Sequence, residues 1–290
     1  MYNHVALLPN LEKEGAYTLS LEIIKRLKQR NITPVVPLAL HEQLRNQDGV
    51  FLFCENLLPY LSLCIVLGGD GSILAASKHT APWGIPILGF HFGRVGFMAE
   101  LEKDELHYLD DVLDGKSYTV EERSMLKVTL PHGKEVTALN DVLITNPGHA
   151  MLDADVLADG SLLQHYHADG LLFSTPTGST AHNLAAGGAI LDAGLQVISF
   201  IPICPHTLYR TPPVVFSSSS VLTVSSPSTR SGKLDVVADG RVAYTLQEGD
   251  SVIITGSEQK TRLVRVKHQN VHSLLARKLA ESYHKSNLYF

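Results

Sequence analysis

The chain predicts an open, Rossmann-like α/β domain over residues 1–116, followed by a β-rich, sandwich-like domain over residues 117–270. Three observations carry that expectation. The 290 residues exceed the usual size of one domain, so two cores are expected. Early in the chain, apolar runs at 5–8, 32–36, 61–67 and 85–89 alternate with polar or helix-compatible stretches, the pattern of strands buried in a parallel sheet. Beyond residue 113 the texture changes to short alternating segments broken by turn residues, which is antiparallel sheet.

In order, 5–8 is a short strand, and residues 14–30 form a helix with Ala16, Leu19, Ile23 and Leu27 on one face. A second strand follows at 32–36, a central buried one at 61–67 and another at 85–89. Ligands of such sheets collect beyond the carboxyl ends of the strands, where 68–71 and 89–97 lie. Residues 104–113 read as a helix. Alternating segments follow at 125–130, 135–139, 142–145 and 154–158, and again at 221–224, 234–238, 242–246 and 251–255. Asp239-Gly240 is a strong two-residue hairpin signal. One helix, 180–187, interrupts the β-rich part, with Thr177-Gly178-Ser179 supplying its caps. The serine run 217–220 reads as an exposed turn and 271–282 as a helix.

Composition narrows the function classes. Apolar content of 44% with 18% charged residues is globular. A net charge of −5 leaves no basic footprint for nucleic acid or an anionic membrane, so any phosphate must be met locally. Cys54, Cys64 and Cys204 form neither an even disulfide framework nor a CxxC pair. The first residues lack a charged segment followed by an apolar core, and no window approaches 18 apolar residues, so the expected location is the cytoplasm. Fourteen histidines include no H-E-x-x-H, and His165 and His167 alternate on a strand, so no metal-ligating set is assigned.

The stretch Leu67-Gly68-Gly69-Asp70-Gly71-Ser72 ends the central apolar run and opens into a helix-compatible segment, 73–78. Glycines let backbone N–H groups approach an anion without Cβ interference, and a helix start at Ser72 adds partial positive charge. Gly68, Gly69, Gly71 and Ser72 are therefore candidate phosphate contacts. Asp70 then faces the anion, where two jobs fit: taking a proton from an attacking hydroxyl, or helping to hold a divalent ion. The plain alternative is a strand-to-helix turn with glycines for tight packing. There is no G-x-x-x-x-G-K-[ST] P-loop, and no G-x-G-x-x-G follows the first strand.

A second stretch, Asp169-Gly170-Leu171-Leu172-Phe173-Ser174-Thr175-Pro176-Thr177-Gly178-Ser179-Thr180-Ala181, continues to Ala185-Ala186-Gly187-Gly188. With the first motif, with Asn140-Asp141 between them and with Ile203-Cys204-Pro205-His206-Thr207-Leu208 after them, it closely resembles the bacterial NAD kinases. The resemblance runs from the Gly-Gly-Asp-Gly strand to the Asp239-Gly240 turn. It implies transfer of the terminal phosphate of ATP to the 2′-hydroxyl of the adenosine ribose of NAD, giving NADP, with a divalent metal ion such as Mg2+. It further implies a dinucleotide bound between the two domains, a homodimer or homotetramer, and a return of 271–290 to the first domain.

By the same resemblance Asp70 is the catalytic carboxylate, and the dinucleotide contacts are Asp70, Gly71, Phe97, Asn140, Asp141, His167, Asp169, Thr180, Ala181, His182, Ala185 and Arg241. Arg94, in the loop Gly89-Phe90-His91-Phe92-Gly93-Arg94-Val95-Gly96-Phe97-Met98, either meets a phosphate or is solvated. Several positions depart from the family's pattern. Asp141 stands where most relatives have glutamate, His182 where they have tyrosine, Met151 where some have histidine and Ala185 where a serine is usual. His167 replaces an arginine of several relatives, and Arg241 a frequent glutamine. The competing readings are a lipid kinase, which shares Gly-Gly-Asp-Gly but lacks the second motif, and a dinucleotide-binding regulator without turnover.

Overall fold

The computed structural model describes residues 2–44, 49–92, 96–116, 118–148, 150–209, 211–225 and 233–267. The helix expected at 271–282 lies outside the described residues. The chain divides into two compact units. The first comprises Met1–Ala76, Ile85–Glu121 and the described residues from Leu263 on, and the second comprises Ser77–Gly84 and Glu122–Arg262.

The first unit is an α/β sheet. Its strands are β1 (His4–Pro9), β2 (Thr33–Val36), β3 (Phe51–Leu52), β4 (Leu61–Gly68) and β5 (Ile87–His91), and its helices α1 (Ala16–Gln29), α2 (Leu38–Gln43), α3 (Asp70–Thr80, whose last turn belongs to the second unit) and α4 (Leu106–Leu113). The strands lie in the order β3-β2-β1-β4-β5, all parallel, with Leu7 opposite Ile65 and Val66 opposite Gly89. Leu263, near the end of the last strand (Ser251–Arg265), pairs with Ile87. The core gathers Val5, Leu7, Ile23, Leu27, Ile65, Leu88 and Phe90, each worth about 1.5–3 kcal/mol of burial. α1 buries the face that its 3.6-residue spacing marks out.

α3 begins at Asp70 rather than after Ser72, because the carbonyl of Gly69 already accepts the N–H groups of Ser72 (2.9 Å) and Ile73 (3.3 Å). The aspartate is thus part of the first helical turn. No helix among the described residues is long and apolar enough to cross a membrane.

The second unit is β-rich and antiparallel. After β6 (Thr119–Thr129) and β7 (Glu135–Ala138) come β8 (Asp141–Thr145), β9 (Leu152–Ala158), β10 (Ser161–Ala168), β11 (Gly170–Ser174) and α5 (His182–Ala185). They are followed by β12 (Val197–Ile203), β13 (Val214–Ser217), β14 (Leu222–Ser225), β15 (Leu234–Ala238), β16 (Arg241–Leu246) and β17 (Ser251–Arg265). One sheet runs β13-β12-β11-β8-β15-β16, and β10-β9-β14-β17 with β6 and β7 makes the other. Both contribute to a single core that includes Val142, Val156, Phe173, Phe200, Val224 and Val236.

Two expectations are corrected here. β17 extends to Arg265 instead of stopping near 255, because Gly256 is a close approach and not a turn: its N–H donates to the carbonyl of Ser218 at 2.9 Å, and a Cβ there would sit 2.6 Å from that oxygen. The helix expected over 180–187 is broken, with a 3-10 turn at Gly178–Thr180 and then α5, separated by Ala181 at φ −105, ψ −122. Gly178 and Ser179 are buried within that turn, and Thr177 makes no side-chain capping bond. The Asp239-Gly240 hairpin is as expected, with both residues at positive φ (48 and 74).

Phe200 lies at the centre of the second core, stacked 4.8 Å from Phe173 and edge-on to Tyr166 at 5.3 Å. Phe200→Ala is expected to lower stability by about 3–5 kcal/mol in chemical denaturation. A loss below about 1 kcal/mol would contradict this account of the core.

Candidate active site

In the first unit the glycine turn sits beyond the carboxyl end of β4. Gly68 is required by Ser72, whose Oγ would lie 2.2 Å from a Cβ at 68. A Cβ at Gly69 or Gly71 would meet nothing within 4 Å, so these two glycines border open space. The Asp70 carboxylate is also an anchor for backbone donors, which the sequence did not suggest. Its Oδ2 accepts the N–H of Phe97 (2.7 Å), and its Oδ1 accepts those of Met98 (3.0 Å) and Ala99 (3.4 Å). The physical reason is proximity: 96–100 is neither helix nor strand, and its N–H groups need acceptors. Gly96 allows the approach, since a Cβ there would fall 1.9 Å from Asp70 Oδ1.

The other side of the same loop is held by basic residues. Arg265 donates from Nη1 to the carbonyl of Met98 (3.0 Å), from Nη2 to that of Phe97 (3.4 Å) and from Nε to Glu121 (2.7 Å). Glu100 Oε1 accepts the N–H groups of Val266 (3.1 Å) and Lys267 (2.6 Å). Burial pushes the Glu100 carboxyl up, opposed by these N–H groups and by the charges of Arg265 and Lys267. Sequence reasoning did not find Glu100 or Arg265, since nothing local links residues more than a hundred and sixty positions apart. Arg94 lies outside the described residues.

In the second unit, Asn140 and Asp141 join β7 to β8 and are fixed from two directions. The Asp239 carboxylate accepts the N–H groups of Leu139 (2.9 Å), Asn140 (2.8 Å) and Asp141 (3.3 Å), and the Asp239 N–H donates to the carbonyl of Asp141 (3.0 Å). From the other direction Thr175 donates its N–H to the carbonyl of Asn140 (2.9 Å) and its Oγ1 to that of Leu139 (2.6 Å). Gly178 then packs on Asn140, where a Cβ would meet the carbonyl oxygen at 2.1 Å.

Asp141 is 9% exposed, and burial pushes its carboxyl up to about 6, aided by the nearby Asp239 charge and opposed by His182. Burial also raises Asp239, against its three N–H donors and the charge of Lys78. Asp141, Asp239, His182 and Lys78 therefore form one electrostatic cluster. The sequence marked Asp141 and His182 but saw Asp239 only as a turn residue, and it missed Lys78.

Buried side chains shape the segment that carries Thr180, Ala181, His182 and Ala185. Asn183 donates from Nδ2 to the carbonyl of Ala189 (3.1 Å), and its Oδ1 accepts from Ser199 Oγ (3.0 Å). Ser179 Oγ donates to the carbonyl of Pro176 (2.6 Å) and accepts from the N–H of Leu191 (3.0 Å). Ala181, His182 and Ala185 are exposed, and Thr180 is half-buried, its Oγ1 donating to the carbonyl of Thr177 (3.2 Å).

His167 and Asp169 are not gathered with Asp141, whereas Arg241 lies across from Ala238, the partner of Val142. Ser174 pairs with Asp141 whereas Gly170 pairs with Thr145, so Asp169 lies just beyond the far end of β11, about 17 Å along the sheet. His167 bonds through Nδ1 to Asp153 (2.6 Å), as His165 does to Asp155 (2.8 Å). Arg241 is exposed at the start of β16. Among the described residues no group of three or more His, Cys, Asp or Glu side chains is arranged to hold a metal ion.

An open glycine turn with one aspartate, at the carboxyl end of a parallel strand, defines a protein of phosphate chemistry. The profile of the ATP-NAD kinase N-terminal domain matches residues 5–116, and that of the ATP-NAD kinase C-terminal domain matches 139–266. The NAD kinase of Natranaerobius thermophilus is 35% identical over 283 residues, spanning 95% of this chain and 97% of its own. That of Moorella thermoacetica is 36% identical over 283 residues, spanning 96% and 89%. The fold resembles yeast NADH kinase complexed with NADH, with a TM-score of 0.82 and 22% identity over 92% of this chain and 84% of that one. It also resembles an NAD kinase from Archaeoglobus fulgidus in complex with ATP, with a TM-score of 0.73 and 23% identity over 96% and 98%. The chain belongs to the ATP-NAD kinase family.

The raised Asp141 carboxyl makes stability depend on pH. Its folded value of about 6 lies above the ordinary 3.8, so the folded state holds the proton more tightly. Stability contributed here is complete below about pH 4 and falls as pH rises through about 6. Asp141→Asn is expected to remove that fall and to be more stable at neutral pH by on the order of 2 kcal/mol. Urea denaturation across this range checks it, and a variant profile parallel to that of the original chain would refute it.

Proposed function

We propose that the chain is an NAD kinase, transferring the terminal phosphoryl group of ATP to the 2′-hydroxyl of the adenosine ribose of NAD. The observation that carries the reading is Asp70 at the head of α3, beside two open glycines, in a chain whose two halves both match the ATP-NAD kinase family. Phosphoryl transfer to a hydroxyl requires an oriented nucleophile, a nearby base and donors or cations on the phosphates. Asp70 Oδ2 accepts one N–H and keeps a second lone pair for a ribose proton or a metal ion. Gly69 and Gly71 offer backbone N–H groups to the phosphates, and Gly68, Ser72 and Arg94 are further contacts in this reading.

NAD is met by Asp70, Gly71 and Phe97 and by Asn140, Asp141, His167, Thr180, Ala181, His182, Ala185 and Arg241, with Asp169 acting near a subunit boundary. Burial and the Asp239 charge push the Asp141 carboxyl up to about 6, so near and below that pH it can donate to a ribose oxygen, and above it accepts. His182, exposed and near enough to oppose the rise of that carboxyl, offers a flat ring for stacking.

A magnesium ion keeps several waters and takes its other ligands from one or two carboxylates and substrate phosphates. Asp70 would hold it, and when bound it screens the charge of the phosphates. β10 is an edge strand with Leu162 and Leu163 exposed, and the proposed homo-oligomer covers such an edge. Sedimentation at assay concentration is expected to show a dimer or tetramer, and an active monomer would contradict it.

The reading is tested by incubating the purified protein with ATP, magnesium and NAD and following NADP by a coupled reduction. Absence of NADP where NAD binds would overturn it in favour of a binding regulator. Asp70→Asn is expected to lower turnover by at least about a hundredfold while NAD binding persists. Thermal melting controls for the loop, since the amide nitrogen cannot accept the N–H of Phe97, and a variant with near-original turnover would remove Asp70 from the chemistry.

A further inference from the structure

We propose that a cavity at the margin of the second unit's core, lined by β6, β12 and β17, is a binding site for a small uncharged molecule that carries hydroxyl groups. Every residue that lines it belongs to the second unit. The site is separate from the candidate dinucleotide contacts and stands whether or not the kinase reading does.

The cavity forms where the apolar core gives way to polar side chains. Along β6, Ser124, Leu126 and Val128 share one face of the strand; Leu126 and Val128 belong to the core, and Ser124 continues that face into the cavity. Val197 and Ile198 line it from β12, and Ile198 is also a core residue. The main chain beside it is already paired, since Ser218 donates its N–H to the carbonyl of Gln196 (3.0 Å) and accepts the N–H of Gly256 (2.9 Å). The volume is about 140 Å³, several times the roughly 30 Å³ that one water occupies in the liquid.

Two buried hydroxyls in this lining have unused hydrogen-bonding capacity. Ser124 is 5% exposed, and its Oγ is buried with no hydrogen-bond partner. Ser257, on the neighbouring strand β17, is 7% exposed; its Oγ accepts the N–H of Gln259 (3.1 Å), while its own hydrogen has no acceptor among the described residues. A buried hydroxyl left without a partner bears its full desolvation cost, so both call for a group inside the cavity. Ser257 needs an acceptor, and Ser124 can use an acceptor or a donor. A ligand hydroxyl meets both requirements with a single atom.

The mouth selects against charge. Glu258 and Lys260 cancel in side-chain charge, and Lys260 Nζ donates to Gln196 Oε1 (3.2 Å), which holds the ammonium at the rim. Neither a phosphate nor a cation gains a net field there, whereas Leu126, Val197 and Ile198 offer an apolar wall to carbon. A polyol of three or four carbons presents C–H groups to that wall and hydroxyls to the two serines. Thr175 completes the lining, and its N–H and Oγ1 hold the carbonyls of Asn140 and Leu139, so the cavity backs onto the turn that carries Asn140 and Asp141.

Amide NMR on the full chain, titrated with glycerol and with erythritol, tests the proposal, with inorganic phosphate and free glycine as charged comparisons. Saturable shifts are expected at Leu126, Thr175, Ile198 and Gly256 with the polyols and are not expected with phosphate or glycine. In Ser124→Ala and in Ser257→Ala the midpoint is expected to rise about tenfold, the loss of one hydrogen bond from a buried hydroxyl. Thermal melting establishes that each variant is folded, and should Ser124→Ala fail to fold, Ser257→Ala decides. No saturable shift in the original chain would mean that the cavity holds water alone and would overturn the site. Unchanged midpoints in the folded variants would overturn it as well, and equal shifts with phosphate or glycine would overturn the class of ligand. None of these readings depends on NADP formation, so failure of the kinase reading leaves them untouched.

Discussion

An aspartate carboxylate that accepts three consecutive backbone N–H groups organises each candidate cluster, and the same device is used twice. Asp70 holds Phe97, Met98 and Ala99, and Asp239 holds Leu139, Asn140 and Asp141. In both places most of the held backbone, 97–99 and 139–140, belongs to neither helix nor strand, so its donors would otherwise lack partners. A hydrogen bond to a charged acceptor contributes about 1.5–3 kcal/mol, and three from one side chain set both the path of a loop and the position of the carboxylate. Glycine fits where this demands contact: Gly96 lies against Asp70, and Gly178 against the carbonyl of Asn140.

The two anchors differ in what they do to their surroundings. Asp70 lies at a helix start with open glycines on either side, so the carboxylate that positions a loop also stands where phosphate chemistry is expected. Asp239 is buried beside Asp141, and its charge adds to the desolvation that raises the Asp141 carboxyl. Shortening the usual glutamate to aspartate at 141 thus sets a short acid next to a second buried acid, with His182 as the opposing charge. The departures at 141 and 182 act on one another and should be read as a pair.

Much of this was legible in the sequence. The strand at 61–67, the helical face of Ala16, Leu19, Ile23 and Leu27, and the Asp239-Gly240 hairpin follow from periodicity and turn chemistry, and the structure has them. The failures share a cause. A strand was ended at 255, before Gly256, and Gly178 was taken as part of a helix cap, yet at each glycine a distant backbone oxygen lies where a Cβ would stand. Asp70 was read only as a ligand-facing acid, and the N–H groups nearly thirty residues away that share its lone pairs had no signal in the sequence. Glu100, Arg265 and Lys78 had no local signature, since their partners come from other elements. Patterns in the chain report periodicity and local turns, whereas tertiary hydrogen bonds decide where a carboxylate points.

Amide hydrogen exchange on the original chain and on Asp70→Ala tests most directly whether that carboxylate holds the loop. Loss of protection at Phe97, Met98 and Ala99, with the parallel sheet of the first unit unchanged, is the expected result. Equal protection of these three amides in both proteins would contradict the account.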